Sequence, residues 1–260
     1  IMWQICCRPD EIDEECFTLM KNHGLFLVFL GIEDGTDAGL KRLNKGMTVK
    51  KCLAGIAILK KLGIKIDFGF MMFQPSTTFR SLNENVDFLK QICGDGYTPV
   101  TFLKMMPYYE TRVEQELIKE GRLKLSQGIR DYDYLEEWMN SYYNFITDCF
   151  MEWLRSSEGL ENISHWTRNN FSVYSHYYSN FFQADVQKLN RKFTRIVSES
   201  NLFLLNTMKD LSLIFKSGQY KSNNKILEKY RRRINLKHET FRQRVHDTLD
   251  ELQFYAMVYR

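Results

Sequence analysis

Two acids, Glu33 and Asp34, close an apolar run that begins at Val28, and Gly35 and the helix-like stretch Leu40 to Lys45 follow them. A strand that ends in glycine and an acid can hand a carboxylate to a ligand at its tip. The pattern returns twice. Phe68-Gly-Phe-Met-Met-Phe-Gln-Pro-Ser-Thr-Thr78 is mostly apolar until Gln74, and Thr101-Phe-Leu-Lys-Met-Met-Pro-Tyr108 carries Lys104 and Tyr108. Three consecutive strand ends with polar cargo predict one ligand site assembled from several strands.

Those groups need a parallel sheet to bring them together. The apolar runs predict strands near Trp3–Cys7, Leu25–Leu30, Ile64–Met72 and Val100–Met105, with helices near Asp13–Asn22, Val49–Leu62 and Ser81–Cys93. Gly24 and Gly63 each stand between a helix-like and a strand-like stretch, 39 residues apart. That repeat suits consecutive βα units, since a helix C-terminus often needs the positive φ that glycine takes without steric cost. Thr48 caps one helix and Thr77 or Thr78 another. A continuous apolar strand such as Leu25 to Leu30 suits a sheet buried on both faces.

From about Arg130 the character changes. Only Gly159 and Gly218 remain, proline disappears, and Ile226, Tyr230, Ile234, Phe241, Val245, Leu249 and Leu252 recur at helical spacing. The aromatic run from Phe171 to Phe182 reads as core and interface packing. The fold class is therefore α/β: a partial (βα) TIM-like barrel of about four parallel strands over residues 1–129, or a small open sheet, then an α-helical region over 130–260. Four strands do not close a barrel.

Composition excludes several classes. The 260 residues are 44% hydrophobic and 26% charged, as in soluble globular proteins. No apolar stretch approaches the roughly 18 residues of a membrane span, and no signal peptide opens the chain. Ile1 runs within a few residues into strand-like sequence, so upstream sequence is expected. Six cysteines at irregular spacing, without secretory features, predict reduced thiols, packing roles and a cytoplasmic location. Cys6 and Cys7 are adjacent on a strand and point to opposite faces, so they are poorly placed to share a metal. The five histidines show no metal-ligand spacing and read as surface or packing residues. GxSxG, GxxxxGK[ST] and HExxH are absent, which leaves triad hydrolase, P-loop and zincin chemistry without support.

The formal net charge is +4, yet Lys216 to Arg244 holds ten Lys/Arg against two acids. Arg231, Arg232 and Arg233 step about 100° apart on a helix and form no single face. A solvated helix face is the plain reading, and a polyanion contact the alternative.

Four phrases in order carry a family resemblance: Trp3 with Arg8-Pro-Asp10; Phe29-Leu-Gly-Ile-Glu33-Asp34 with Leu43-Asn-Lys45-Gly46; Gly69 to Phe79; and Lys104-Met-Met-Pro-Tyr108 with Glu120-Gly-Arg-Leu123. Residues 1–130 resemble the C-terminal half of a radical S-adenosylmethionine (SAM) barrel, of the branch that often carries an N-terminal cobalamin (B12)-binding domain. The resemblance implies that Glu33, with Gly31 beside it, faces SAM and holds its amino group or ribose hydroxyls. It implies that Lys45 reaches the SAM carboxylate or ribose, and that Gln74, Pro75 and Thr77 form an adenine- and ribose-contacting turn. Arg8 is the implied partner of a substrate or cofactor carboxylate, and Lys104 and Tyr108 are implied substrate contacts. The residues alone leave other roles open: a helix-capping acid for Glu33, an exposed basic cluster for Lys45, surface pairing for Arg8, a proline turn and N-cap for Gln74 to Thr78.

Family members hold a [4Fe–4S] cluster on a CxxxCxxC loop and cleave SAM reductively to a 5′-deoxyadenosyl radical. No CxxxCxxC occurs in this sequence. The expectation is that the cluster loop, any cobalamin domain and the upstream half of the barrel precede Ile1. The implied partners are SAM, an unknown substrate and an electron donor such as flavodoxin or ferredoxin; neither a membrane nor nucleic acid is expected, and no catalytic residue or metal ligand is assigned. The alternative is a non-catalytic, degenerate half-barrel acting as an interaction or polyanion-binding module.

Overall fold

The computed structural model describes residues 1–126, 128–221 and 224–258, the side chains of 126, 179–183 and 224 aside. A parallel sheet of order β1-β2-β3 is formed by β1 (Trp3–Cys7), β2 (Leu25–Glu33) and β3 (Lys65–Phe70). Between the strands run α1 (Glu14–Asn22), the short α2 (Asp37–Arg42) and α3 (Val49–Leu62). The caps are chemical. The side chains of Asp13, Thr36 and Thr48 each accept a bond from the N–H three residues on, which satisfies donors that a helix start leaves orphaned. Gly63 closes α3 in the left-handed conformation, φ 70°.

Ile66, Phe68 and Phe70 alternate onto the face packed by α4 (Phe79–Cys93), where the Phe70 and Phe88 rings stack 5.9 Å apart. Thr78 starts α4 with a reciprocal capping box to Ser81. The opposite face carries Phe29, which is 42% exposed, so burial on both faces, expected from the apolar runs, holds for only part of the sheet.

The expected fourth strand, Val100–Met105, is a single parallel bridge between Phe73 and Lys104. Its backbone is diverted. Asn201 accepts from the Val100 N–H at 3.0 Å and donates to the Thr98 carbonyl at 2.9 Å, taking groups that a ladder would use. Only Leu103 and Met105 bond back: their N–H groups donate to the carbonyls of Phe70 and Phe73, and the Leu103 carbonyl accepts from the Phe73 N–H at 3.3 Å.

After α5 (Arg112–Lys119), an antiparallel hairpin of β4 (Leu123–Ser126) and β5 (Ile129–Tyr132) leads into α6 (Met139–Arg155), α7 (Leu160–Tyr177), α8 (Ser179–Lys216) and α9 (Asn224–Val258). The boundary expected at 129/130 falls inside this hairpin, and one apolar core runs continuously from Val28 and Phe70 to Phe193, Met208 and Val245. α8 lies along α4 through Ser198 to the Gly94 carbonyl, Lys209 to Asp87 and Ser212 to Asn83. Phe171 is buried as core; the side chains of Phe181 and Phe182 lie outside those described.

Candidate functional site

β2 does not end as a straight strand. Its register against β3 shifts between Gly31 and Glu33, a bulge of the kind that re-aims a side chain. Glu33 then takes φ 71°, and the Asp34 N–H bonds back to the Ile32 carbonyl at 3.0 Å. A three-residue turn with positive central φ is strained, and a non-glycine residue held there costs about 1–2 kcal/mol. The cost is met by cross-strand support: the Glu33 carbonyl accepts the Met71 N–H at 2.8 Å.

The turn sends adjacent acids in different directions. Glu33 faces Lys45, Nζ to Oε1 3.6 Å, and both side chains keep some exposure, 25% and 20%. Beneath them the sheet carries two glycines, with the Phe29 ring edge 3.5 Å from where a Cβ on Gly69 would stand. A Cβ on Gly31 would stand 3.2 Å from Glu33 Oε1 and 3.4 Å from Lys45 Nζ, and one on Gly69 would stand 3.5 Å from Glu33 Oε2. Two paired glycines therefore leave a backbone floor under an ion pair at the C-terminal edge of the sheet.

Asp34 turns inward and is 3% exposed. Its Oδ1 accepts from the N–H and hydroxyl of Thr36, each at 2.8 Å, and its Oδ2 from Gln74 Nε2 at 2.7 Å. Gly39 is required here, because a Cβ would lie 2.1 Å from Asp34 Cγ. The carboxylate thus locks the start of α2 to the turn after β3. Asp34 was visible in the sequence beside Glu33, but nothing there distinguished the structural acid from the exposed one.

Several expected ligand contacts are committed to protein partners. Gln74 spends its amide on Asp34 and the Met71 carbonyl. Thr77 Oγ1 accepts from the Gln74 N–H and donates to the Met72 carbonyl, and the Pro75 carbonyl accepts from Arg122. Arg8 grips Asp10 at 3.1 and 3.0 Å and donates to the Lys45 carbonyl at 2.6 Å. Arg8 therefore braces Lys45 from below. Gln74, Pro75 and Ser76 line one wall of a 540 Å³ cavity, with Lys41 and Arg42 of α2 and Arg112 of α5 around it.

Lys104 has partners other than the Glu33–Lys45 pair. Lys104 is enclosed by Tyr132, Tyr134 and Tyr143, with Nζ 4.4 to 5.0 Å from their ring centroids. It also pairs with Asp131. Burial holds its ammonium below the usual lysine range, although Asp131 pulls the other way. Tyr108 is 69% exposed.

The histidines contained one surprise. His165 on α7 lies between Asp67 at 3.0 Å and Glu161 at 3.1 Å. Burial would lower it, but contacts to Asp67 and Glu161 hold it above the ordinary imidazole value. Nδ1 stands 3.0 Å from Asp67 Oδ1 without a geometrically sound hydrogen bond. Arg168 completes the group. Burial would raise the Asp67 carboxyl, but His165 and Arg168 bring it down to about 2. Metal-ligand spacing gave no sign of this cluster, since Asp67 lies on β3 while Glu161, His165 and Arg168 lie on α7.

The basic segment is largely consumed by packing and pairing. Arg231 and Arg233 lie over Phe145 and Phe203, and Arg232 and Arg244 pair with Glu228 and Glu199. All six cysteines are free. Among the described residues no three His, Cys, Asp or Glu could share a metal, and no helix is long and apolar enough to cross a membrane.

No protein-family model matches the chain. Part of it is 38% identical over 71 residues to a candidate methylthiotransferase of Methanocaldococcus jannaschii, covering 27% of this chain and 16% of that protein. It is 37% identical over 65 residues to the 4'-phospho-dehydrooxetanocin synthase of Priestia megaterium, covering 25% and 9%. An uncharacterized methyltransferase of Pyrococcus horikoshii is 26% identical over 139 residues, covering 54% and 29%. In structure, 97% of the chain matches 46% of the cobalamin-dependent SAM radical enzyme OxsB with aqua-cobalamin bound, at TM-score 0.56 and 14% identity. With aqua-cobalamin and SAM bound, OxsB matches at TM-score 0.50 and 16% identity, with the same coverage. The chain thus spans less than half the length of these proteins. Parts of it resemble these three proteins in sequence, and it shares the fold of part of a cobalamin-dependent SAM radical enzyme.

Proposed function

We propose that this chain forms the C-terminal part of a radical SAM enzyme barrel and contributes a wall of the SAM site at the C-terminal edge of its parallel sheet. The observation that carries this reading is the Glu33–Lys45 pair, 3.6 Å apart over the glycine floor of Gly31 and Gly69. An amino-acid sulfonium suits that arrangement. Lys45 would hold the carboxylate, while Glu33 would take the amino group or a ribose hydroxyl and favour the positive charge. The glycine floor leaves room for a ligand edge close to backbone. Arg8 positions Lys45 through its carbonyl, and Asp34 positions the Gln74 turn.

SAM, once bound, would supply a methyl group or, on taking one electron from a cluster held elsewhere, a 5′-deoxyadenosyl radical with release of methionine; the chain would supply orientation and electrostatics. The residues present fit SAM, but not a [4Fe–4S] cluster, whose ligands are three closely placed thiolates. Under this reading the cluster and any cobalamin are held by segments outside these 260 residues, and the substrate is undefined.

The test compares Glu33→Ala with Glu84→Ala, a surface acid paired with Arg80, in an enzyme containing this segment. Formation of 5′-deoxyadenosine should fall by about tenfold or more in the first, which is about 1.4 kcal/mol or more of lost stabilisation, and stay near wild type in the second. Equal rates would remove Glu33 from the site.

A further inference from the structure

The opposite end of the sheet holds a second feature. A 350 Å³ cavity opens between the N-terminal ends of the strands and α7. One wall is apolar, made by Leu25, Phe26 and Phe171, and the other presents Lys21, Lys65, Ser172, Ser175 and His176. No acid lines it.

Lys65 is the telling residue. It begins β3, is largely buried, and pairs with no carboxylate among the described residues; the other charge acting on it is the cation Arg168. Its ammonium lies 5.0 Å from the centroid of the Tyr97 ring, a contact that compensates a buried cation only in part. The neighbouring lysines are spoken for: Lys60 pairs with Asp95 at 2.6 Å, and Lys21 donates to the Leu62 carbonyl. A buried ammonium without a counter-charge is unfavourable. Burial accordingly brings it down to about 8, with Arg168 adding to the effect. A bound anion would reverse that penalty.

We propose that this cavity is a phosphate-binding site for a small phosphate ester or free phosphate, with Lys65 as the charge that holds it. Phosphate offers several acceptor oxygens, and the wall offers an ammonium, the Ser175 hydroxyl and an imidazole to match them, the Ser172 hydroxyl already donating to the Arg168 carbonyl at 3.3 Å. A carboxylate would use fewer of these donors. The volume lies at the small end of ligand sites, and the apolar wall gives the body of an ester a surface to cover. β2 spans nine residues, roughly 26 Å at the usual rise, so the site stands well away from Glu33 and its test does not depend on the reading made there.

The 260-residue chain is titrated calorimetrically with inorganic phosphate and with glycerol 3-phosphate, at constant ionic strength in chloride. Saturable one-site binding of at least one probe is expected, weakened by about tenfold or more in Lys65→Gln and largely kept in Lys65→Arg. Tighter binding of the ester identifies an esterified ligand, and equal binding identifies the free ion. Should Lys65→Gln fail to fold, Ser175→Ala and Lys65→Arg carry the comparison, with weaker binding expected in the former. No saturable binding of either probe would overturn the proposal, as would wild-type binding in folded Lys65→Gln, or in Ser175→Ala where it stands in.

Discussion

Arg168 and Asp67 meet at 2.7 Å, Nη2 to Oδ1, across 101 residues of chain. The same guanidinium donates to the Ile66 carbonyl at 2.8 Å and to Thr98 Oγ1 at 3.1 Å. Its side chain is 2% exposed. One residue of α7 therefore ties the edge of β3, the diverted segment at Thr98 and the helical half together, which is why the core does not divide at the hairpin.

Removing that cation takes from a largely buried carboxylate its guanidinium partner, leaving only His165 beside it, and removes one of the two donors to the Ile66 carbonyl, which keeps the Thr98 hydroxyl at 2.7 Å. Arg168→Met should lower stability by about 3–5 kcal/mol, read as a shift of the urea midpoint. A change below about 1 kcal/mol would mean that water replaces the guanidinium freely.

The same cluster gives a pH dependence with a definite sign. Asp67 has a folded value of about 2 against an ordinary 3.8, so its contribution is present above about 4 and is lost as pH falls toward 2. His165 is raised above 6.5, so its contribution is full below that value and is lost as pH rises through the folded value. The stability difference between wild type and Asp67→Asn should therefore be greatest between about pH 4 and 6.5 and shrink on both sides. Denaturant titrations from pH 2 to 9 check this; a flat difference would contradict it.

Gly39→Ala should be among the most damaging single methyl additions, because the new Cβ meets Asp34 Cγ at 2.1 Å. A loss of about 3 kcal/mol is expected from overpacking and the broken Asp34 bonds. Thermal unfolding measures it, and a wild-type midpoint would show that α2 can shift without disturbing Asp34.

Gly31→Ala should separate stability from function. Its methyl would stand 3.2 Å from Glu33 Oε1, close enough to push the acid by tenths of an ångström but not to disrupt the core. We expect a stability change below about 1 kcal/mol, with a several-fold loss of SAM cleavage in an enzyme carrying the segment. Unchanged cleavage would indicate that the glycine floor does not bear on the ligand.

The purified chain should be colourless and free of iron, since its thiols do not converge. Iron and sulfide in stoichiometric amounts after anaerobic reconstitution would show instead that these cysteines hold a cluster.

Much of the first half was legible because its signals are local. Trp3–Cys7 and Val49–Leu62 match the expected bounds, and Thr48, Thr78 and Gly63 perform the cap roles their types suggest. Val100–Met105 reads equally well as a strand, yet Asn201, far along α8, takes the Val100 N–H and the Thr98 carbonyl at its start, and only Leu103 and Met105 keep ladder bonds. Glu33 and Asp34 were both visible as acids at a strand end. Their opposite fates follow from a bulge and a positive φ that depend on pairing with β3.

The sequence by itself determined the parallel βα order, the helix starts and stops, and the nearness of an acid and a lysine to the end of β2, because hydrophobic period, caps and glycines act within a few residues. Only the tertiary structure decided that Glu33 stays open while Asp34 is buried, that Arg8 braces Lys45, and that Asp67, His165 and Arg168 form one charge cluster. Those outcomes depend on contacts between distant elements, where burial and the supply of hydrogen-bond partners, rather than residue type, set what a side chain does.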